Sequence, residues 1–380
     1  GLFVFSATSV VQGTIGNGSD FYRLNESEWD LLNDRCGRNV AVDSAFRLYH
    51  KISFGSNALQ GEFPWALKLF RFDAHPSKFY IMCSASLISQ KHFVTAAHCL
   101  EIAETGLVDV VPSHLYVVLG GTPCTYAKVT RIFMSDLKDC RSLAYKSPWR
   151  LKVKRFIVPK RSVIFNMEES DFLPKPMNRI FSDLAIFELE EALDLDFKDI
   201  QPICLPNPSH PIPKLYKVYG FGRTVRREED SRVNMQLHWY YENNLLSRFA
   251  CLRFPFTVRG CGGYFVTKRP IGDLRSACKG DSGGGLSAIV SGRHRLYGVV
   301  SYAVNYCDNK TEFSSVYVNV SFNHDFICYY TGICPMGYNV YLNSKYATYP
   351  EPVAAVGFAL RRQSPIAIYF ILIFFYCLII

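Results

Sequence analysis

The chain has 380 residues, of which 49% are hydrophobic and 20% charged, so it can bury a large core and is neither disordered nor fibrous. Its formal net charge of +9 is modest for this length and its basic residues are scattered, which excludes nucleic-acid binding as the main function. Thirteen cysteines indicate an oxidising, extracellular compartment.

The first fifty residues divide in two by composition. Residues 1–13 are apolar and then small, which is typical of the end of a signal peptide. Residues 14–51 are polar and predict a propeptide or lead segment. Four N-glycosylation sequons agree with secretion, and they lie at Asn17, Asn25, Asn309 and Asn319.

Residues 52–332 consist of short apolar runs separated by Gly, Pro, Asn and Asp, with almost no helical periodicity. This pattern favours an all-β sandwich or barrel. A closing helix is predicted from Ser321 to Tyr330, with Ser321 as its N-cap. The predicted strands are Ala66–Phe70, Phe79–Ile88, Phe93–Ala97, Leu115–Leu119, Leu151–Val158, Leu184–Leu189, Leu215–Gly220, Met235–Tyr241, Gly285–Val290, Leu296–Ala303 and Val316–Val320.

One of these runs carries a row of basic residues. Arg150, Lys152 and Lys154 alternate with Leu151 and Val153. Because side chains alternate between the two faces of a strand, this pattern predicts one solvated face. A basic exosite for an acidic partner is the alternative interpretation.

Three motifs carry candidate chemistry. T-A-A-H-C contains His98, D-L-A-I begins at Asp183, and C-K-G-D-S-G-G contains Ser282. A catalytic Ser needs a base to take its proton and donors to hold the oxyanion, because a hydroxyl is a poor nucleophile at neutral pH. A charged Asp at the start of an apolar strand needs a partner. With these motifs in this order, the chain resembles the chymotrypsin/trypsin family of serine proteases.

The resemblance implies a fold of two six-stranded antiparallel Greek-key barrels followed by a C-terminal helix. The serine protease domain would span residues 52–332. The first barrel would occupy residues 52–200, with an insertion at 120–149, and the second barrel and closing helix would occupy residues 201–332. The catalytic groups would lie in the cleft between the barrels.

The resemblance also implies a role for each motif residue. Ser282 would be the nucleophile, His98 the general base and Asp183 the group that orients His98. The N–H groups of Gly280 and Ser282 would form the oxyanion hole. No metal or cofactor is needed for this chemistry, and the other His and Asp residues show no zinc-type spacing.

The junction at Lys51 and Ile52 resembles the activation site of the family. Cleavage after Lys51 would release Ile52 as a new N-terminus, whose ammonium would pair with Asp281. The chain would then be a zymogen that one proteolytic event switches on. Ser53 and Phe54 depart from the Val-Gly that the family usually carries here.

Twelve of the thirteen cysteines can be arranged in six pairs. Cys377, inside the apolar tail, is left over. The resemblance implies the pairs Cys83–Cys99, Cys36–Cys204, Cys251–Cys261 and Cys278–Cys307. Proximity alone suggests the pairs Cys124–Cys140 and Cys328–Cys334.

The specificity pocket of the family places its floor six positions before the nucleophile, which is Ser276 in this chain. A neutral floor cannot pair a buried Arg or Lys, so we expect a preference for apolar or medium-sized side chains. A shifted alignment would make Asp273 the floor instead. The remaining pocket positions are Ser301, Tyr302, Ala303 and Ser315, of which the third and fourth replace glycines of the family.

After the last predicted disulfide the chain is loop-like over residues 333–365 and ends in an apolar tail, residues 366–380. Fifteen apolar residues are fewer than the roughly 20 that a spanning helix needs. The tail is compatible with a lipid-anchor signal, a truncated transmembrane helix or an error in the gene model. Membrane attachment through this tail therefore stays open.

Two functions follow from these patterns. The first is a secreted zymogen of a serine endopeptidase, whose partners would be protein or peptide substrates, an activating protease and protein inhibitors. The alternative is an inactive serine protease homologue that acts as an extracellular binding module. The presence of all three catalytic residues favours the enzyme.

Overall fold

The computed structural model describes residues 21–38, 55–59, 61–72, 79–100, 115–119, 150–158, 183–195, 200–207, 212–222, 237–243, 245, 263–268, 275–303 and 313–335. Among these residues there are two α-helices, α1 (Glu26–Arg35) and α2 (His324–Thr331). The strands are β1 (Ser56–Asn57), β2 (Ala66–Phe72), β3 (Phe79–Leu87), β4 (His92–Thr95), β5 (Leu115–Leu119), β6 (Arg150–Ile157), β7 (Ala185–Leu189), β8 (Tyr216–Gly220), β9 (His238–Glu242), β10 (Tyr264–Lys268), β11 (Gly285–Val290), β12 (Arg293–Ala303) and β13 (Phe313–Asn319).

The first barrel is a closed antiparallel sheet of six strands in the order β2-β3-β4-β7-β6-β5. Aromatic and β-branched residues suit a curved sheet because their side chains fill its interior. Phe93 stacks on Phe187 with ring centroids 4.7 Å apart, and Phe156 lies 5.4 Å from Phe187. This barrel therefore has a packed aromatic core, which makes it a rigid support for groups at its rim.

The second sheet has the strand order β1-β9-β8-β11-β12-β13-β10. An isolated antiparallel bridge between Leu245 and Thr267 also links the chain after β9 to β10. Six of its strands, β8 to β13, correspond to the predicted second barrel, and β1 is a two-residue addition. The all-β prediction with two antiparallel barrels and a C-terminal helix is confirmed, although β1 and β10 were not among the predicted strands.

The row of basic residues on β6 follows the predicted alternation. Leu151 and Val153 are buried, whereas Lys152 and Lys154 are exposed. Lys152 forms an ion pair with Glu190 at 3.5 Å, and Lys154 pairs with Glu188 at 3.0 Å. The paired cations agree with a solvated strand face.

Helix α1 lies in the lead segment, where no helix was predicted. Asn25 is its N-cap and accepts a hydrogen bond from the Glu28 N–H at 3.0 Å. The Glu28 carboxylate accepts in return from the Asn25 N–H at 3.0 Å, which completes a capping box. The N-x-x-E pattern in the sequence was the signal for this helix.

The lead segment is bound to the first barrel and to the start of the second. The Tyr22 N–H donates to the buried carboxylate of Glu188 at 2.9 Å, and the Tyr22 carbonyl bonds the His92 ring at 2.8 Å. A disulfide joins Cys36 to Cys204. Cleavage at residue 51 would therefore leave the segment attached, both covalently and by hydrogen bonds.

The closing helix begins later than predicted. Ser321 starts a 3-10 turn, Ser321–Asn323, and α2 follows with Asn323 as its N-cap. The prediction of Ser321 as the helix N-cap is therefore wrong. After β13 the chain makes one 3-10 turn, which is tighter than an α-helical turn, before the α-helix begins.

Three buried histidines predict a loss of stability at acid pH. Burial lowers the pKa of His92 to about 3 and those of His294 and His324 to about 4. These folded-state pKa values lie below the unfolded value of about 6.5, so the unfolded chain binds protons first as the pH falls. The resulting loss of folding stability is small above about pH 6.5 and grows toward about pH 4. Each histidine should lower the free energy of unfolding by about 2 kcal/mol between pH 7 and pH 5.

Urea denaturation at the two pH values measures this loss. The matched variant is His294→Phe. The ring centroids of His294 and Trp65 are 4.8 Å apart, and phenylalanine keeps an aromatic ring in this contact. We expect the variant to lose about 2 kcal/mol less than the parent between pH 7 and pH 5. An equal loss in both proteins would contradict the assignment.

Candidate active site

Asp183 lies just before β7 and is the centre of a hydrogen-bond cluster between the barrels. Its side chain is 2% exposed. Its Oδ1 accepts from the His98 N–H at 2.8 Å, and its Oδ2 contacts His98 Nδ1 at 2.8 Å and accepts from Ser301 Oγ at 2.6 Å. The Asp183 N–H donates to the Tyr264 hydroxyl at 3.1 Å. The carboxylate is thus desolvated but satisfied by donors from both barrels.

His98 lies in the 3-10 turn Ala97–Leu100 that follows β4. Its side chain is 31% exposed, so one edge of the ring contacts Asp183 while another is open to a substrate. A carboxylate only accepts hydrogen bonds, so Asp183 fixes the proton on Nδ1 and leaves Nε2 as the basic nitrogen. Nε2 is then the atom that can take a proton from a nucleophile.

Ser282 lies against the same edge of the first barrel as His98. Its carbonyl accepts from the Ser84 N–H at 2.8 Å. Ser84 follows Cys83, and Cys83 is disulfide-bonded to Cys99, the residue after His98. Ring nitrogen and sulfur atoms of His98 and this disulfide lie within 4.8 Å of one another. The structure therefore brings the Ser282 loop and the His98 turn together.

A second path joins Ser282 to Asp183 through β12. The Gly283 N–H donates to the Val300 carbonyl at 2.7 Å, and the Val300 N–H donates to the Gly284 carbonyl at 2.7 Å. The next residue, Ser301, donates to Asp183. The position of the serine loop relative to the acid is thus set by a paired strand rather than by a free turn.

The loop before Ser282 is held in one conformation. Ser84 Oγ donates to the Gly280 carbonyl at 2.9 Å. Asp281 is 2% exposed, and its carboxylate accepts from the Gly222 N–H at 2.7 Å and the Cys278 N–H at 2.8 Å. In the part of the chain that the structure describes, the N–H groups of Gly280 and Ser282 have no acceptor.

Gly283 is a position where the serine loop tolerates no side chain. Its φ is +81°, and a Cβ there would overlap Thr95 Oγ1 and the Ser84 carbonyl oxygen. Gly292 has a similar φ of +72° in the turn between β11 and β12, with nothing within 4 Å of its Cβ position. The two glycines have similar positive φ angles, but only Gly283 lacks room for a Cβ atom.

We expect Gly283→Ala to abolish activity or folding, whereas Gly292→Ala should cost only the ~1–2 kcal/mol of a left-handed alanine. Thermal melts and a peptide-hydrolysis assay on the two variants test this difference. Equal effects would mean that backbone strain, and not the contact with the first barrel, sets the requirement for glycine.

Residues predicted for the specificity pocket lie close together around β12 and β13. Ser315 is the register partner of Ala303, and its Oγ accepts from the Ala277 N–H at 3.4 Å, next to Ser276. Ser276 is 3% exposed, and its Oγ has no hydrogen-bond partner among the described residues. A buried hydroxyl without a partner offers a neutral polar floor. Tyr302 is half-buried beside these positions.

The predicted disulfides and sequons lie partly within and partly outside the described residues. Within the described residues, the predicted disulfides Cys36–Cys204, Cys83–Cys99 and Cys328–Cys334 are present. Cys278 is also disulfide-bonded, and its predicted partner Cys307 lies outside the described residues. Asn25 is exposed and Asn319 is half-buried at the end of β13. The predictions that fall outside the described residues are those at Cys251, Cys261, Cys124, Cys140, Asn17, Asn309, Lys51 and Ile52.

Among the described residues, Cys83, His98 and Cys99 form the single cluster of three candidate metal ligands. The two sulfurs are bonded to each other, so neither is available as a thiolate ligand.

Several residues of the site were missed by sequence reasoning. Ser84 and Tyr264 were not identified, and Ser301 was assigned only to the pocket. The fourth is Lys68, a buried cation on β2 near Asp281. A lysine in the middle of an apolar strand was the available signal for it.

Comparison with known proteins agrees with the geometry. A family model described as trypsin matches residues 52–153 and 150–327. The chain is 27% identical over 293 residues to CLIP domain-containing serine protease B15 of Anopheles gambiae, covering 74% of this chain and 70% of that protein. It is 26% identical over 290 residues to phenoloxidase-activating factor 3 of Holotrichia diomphalia, covering 73% and 71%.

A longer relative is transmembrane protease serine 7 of Homo sapiens, with 27% identity over 281 residues. The alignment covers 72% of this chain but only 27% of that protein. Within the described residues of this chain, no helix has the length and apolar character to cross a bilayer.

Proposed function

The chain belongs to the trypsin family of serine proteases, and on that premise we propose that it is a serine endopeptidase that hydrolyses peptide bonds through an acyl-enzyme. The observation that carries the proposal is the 2.8 Å contact between His98 Nδ1 and Asp183 Oδ2, with the Ser282 loop bonded to the neighbouring strand. A base, an acid that orients it and a serine within one seam are the requirements for acyl transfer.

The first half of the reaction forms the acyl-enzyme. Ser282 Oγ attacks the carbonyl carbon while His98 Nε2 takes the hydroxyl proton, and Asp183 stabilises the resulting imidazolium. The N–H groups of Gly280 and Ser282 hold the oxyanion, and one such donor contributes about 3 kcal/mol to the transition state. The C–N bond then breaks as His98 returns the proton to the leaving amine.

The second half uses water as the nucleophile. Water loses a proton to His98 and attacks the acyl carbon, and the ester bond to Ser282 Oγ breaks as His98 returns that proton. All of these proton transfers therefore pass through one atom, His98 Nε2. The 31% exposure of the His98 side chain suits this exchange with water.

We further propose that the protein is a secreted zymogen, activated by cleavage after Lys51. Residues 1–13 would be the signal-peptide remnant, 14–51 the propeptide and 52–332 the protease domain, followed by a linker to residue 365. The disulfide from Cys36 to Cys204 supports a two-chain product in which the lead stays attached. The substrates would be proteins cut after apolar or medium-sized side chains, since the buried floor at Ser276 carries no charge.

The test is N-terminal sequencing and a peptide-library profile after treatment with a trace of trypsin. We expect Ile52 as the new N-terminus, a gain in peptide hydrolysis and no cleavage after Lys or Arg. Strong cleavage after basic residues would contradict the neutral floor. Hydrolysis in neither form would favour the non-catalytic binding module.

A further inference from the structure

Lys68 is a lysine buried in the seam between the barrels. It lies in the middle of β2, paired in register with Ser84 on β3, and its side chain is 1% exposed. Burying an ammonium is costly unless an opposite charge and hydrogen bonds compensate for the lost water. A nearby anion would therefore favour the charged form of Lys68.

Asp281 is a buried carboxylate close enough to Lys68 for their charges to interact. The Lys68 ammonium lies 5.1 Å from the centre of the Phe221 ring, and the next residue, Gly222, donates its N–H to Asp281. Burial lowers the pKa of Lys68, and the negative charge of Asp281 opposes this shift. Burial likewise raises the pKa of Asp281, and its two N–H donors and the charge of Lys68 oppose that shift. Each group thus favours the charged form of the other.

The same contacts fix the loop that would hold the oxyanion. Ser84, the register partner of Lys68, accepts from the Phe221 N–H at 2.9 Å and donates to the Gly280 carbonyl at 2.9 Å. Gly280 has a φ of +98°, and its N–H is free of acceptors among the described residues. Ser84, which pairs with Lys68, therefore helps to hold this loop in place.

In the uncut chain the nitrogen of Ile52 is part of a peptide bond and carries no charge. We propose that Lys68 is a positioning residue that supplies the counter-charge of Asp281 in this single-chain form, so that the oxyanion loop is organised before cleavage. The inference rests on the proposed protease function and qualifies the proposed zymogen. The uncut chain would already be partly active, so the gain in hydrolysis on cleavage after Lys51 should be small.

The experiment blocks cleavage with Lys51→Gln and measures the rate at which a fluorophosphonate probe labels the full chain. We expect uncut Lys51→Gln to be labelled within about tenfold of the rate of the cut parent. Adding Lys68→Met should lower the rate about 10²-fold or more, which is the effect of losing an oxyanion donor. Lys152→Met, which removes an exposed cation of β6, is the matched control and should leave the rate unchanged.

Labelling after cleavage distinguishes a charge-pairing role of Lys68 from a purely structural one. A Lys68→Met chain that keeps Lys51 should recover labelling after cleavage, because the Ile52 ammonium can then pair with Asp281. Labelling of the parent only after cleavage would overturn the inference and leave the protease function standing. Equal loss in cut and uncut Lys68→Met would also overturn it, since the lysine would then act only on folding.

A double-mutant cycle of melting temperatures tests the pairing of Lys68 with Asp281 independently of labelling. A complete absence of labelling would instead count against the protease function. It uses Lys68→Met, Asp281→Asn and the double variant in the Lys51→Gln chain. We expect the fall in Tm of the double variant to be smaller than the sum of the falls in the two single variants. Each single variant leaves one buried charge without its partner, whereas the double variant removes both charges. Additive losses would overturn the pairing of Lys68 with Asp281.

Discussion

Replacing Ser282 with alanine should lower kcat for peptide hydrolysis by about 10⁴-fold or more, because the reaction loses the oxygen that His98 deprotonates. The fold should be unaffected. Ser282 is half-buried, and the bond that anchors it to Ser84 uses its backbone carbonyl. The measurement is steady-state hydrolysis of a chromogenic peptide by the cut protein.

Ser287→Ala is the matched control. Ser287 is a buried serine of β11 whose hydroxyl donates to the Lys217 carbonyl at 3.3 Å, away from the seam. It should keep near-parental kcat. Adding His98→Ala to Ser282→Ala should cost little more, because groups that act as a unit are not additive. Residual activity above about 1% in Ser282→Ala would contradict the assignment of the nucleophile.

Asp183→Asn should also lower kcat by about 10⁴-fold, through the tautomer of His98. Three donors point at the Asp183 carboxylate, namely the His98 N–H, His98 Nδ1–H and the Ser301 hydroxyl. An amide has one acceptor oxygen, so its NH₂ group faces a donor on the other side. The favoured response is to move the imidazole proton to Nε2, which leaves no base toward Ser282.

The control for this change is Asp30→Asn, on the exposed face of α1. It alters the charge equally and should leave kcat unchanged. KM should change much less than kcat in Asp183→Asn, since Asp183 is buried behind His98 and the change acts on the chemical step. A large rise in KM with unchanged kcat would indicate that Asp183 shapes substrate binding instead.

The sequence predicted the elements that local patterns determine. Short apolar runs bounded by turn residues gave most strands of both barrels, because each run and its boundaries are visible within a few residues. The three motifs identified His98, Asp183 and Ser282 because their neighbours are constrained by the same chemistry. The capping box of α1 was equally local, but the polar composition of the lead concealed it.

The contacts that were missed are non-local. Ser301 reaches Asp183 across 118 positions, and Ser84 reaches Gly280 across 196. Nothing in the sequence near Lys68 indicates Asp281, since the two meet only when the barrels pack together. The short β10 was missed because only the first three residues of Tyr264–Lys268 are apolar, although glycines precede the strand and Pro270 follows it. Such pairings require the register of the sheets.

The central claim is that His98, Asp183 and Ser282 act as one unit in the seam between the barrels. Labelling with a fluorophosphonate probe, followed by peptide mass mapping, tests it most directly. The account predicts a single adduct on Ser282 in the cut protein, lost in His98→Ala and strongly slowed in Asp183→Asn. Labelling that is absent, lies on another serine, or persists unchanged in His98→Ala would contradict it.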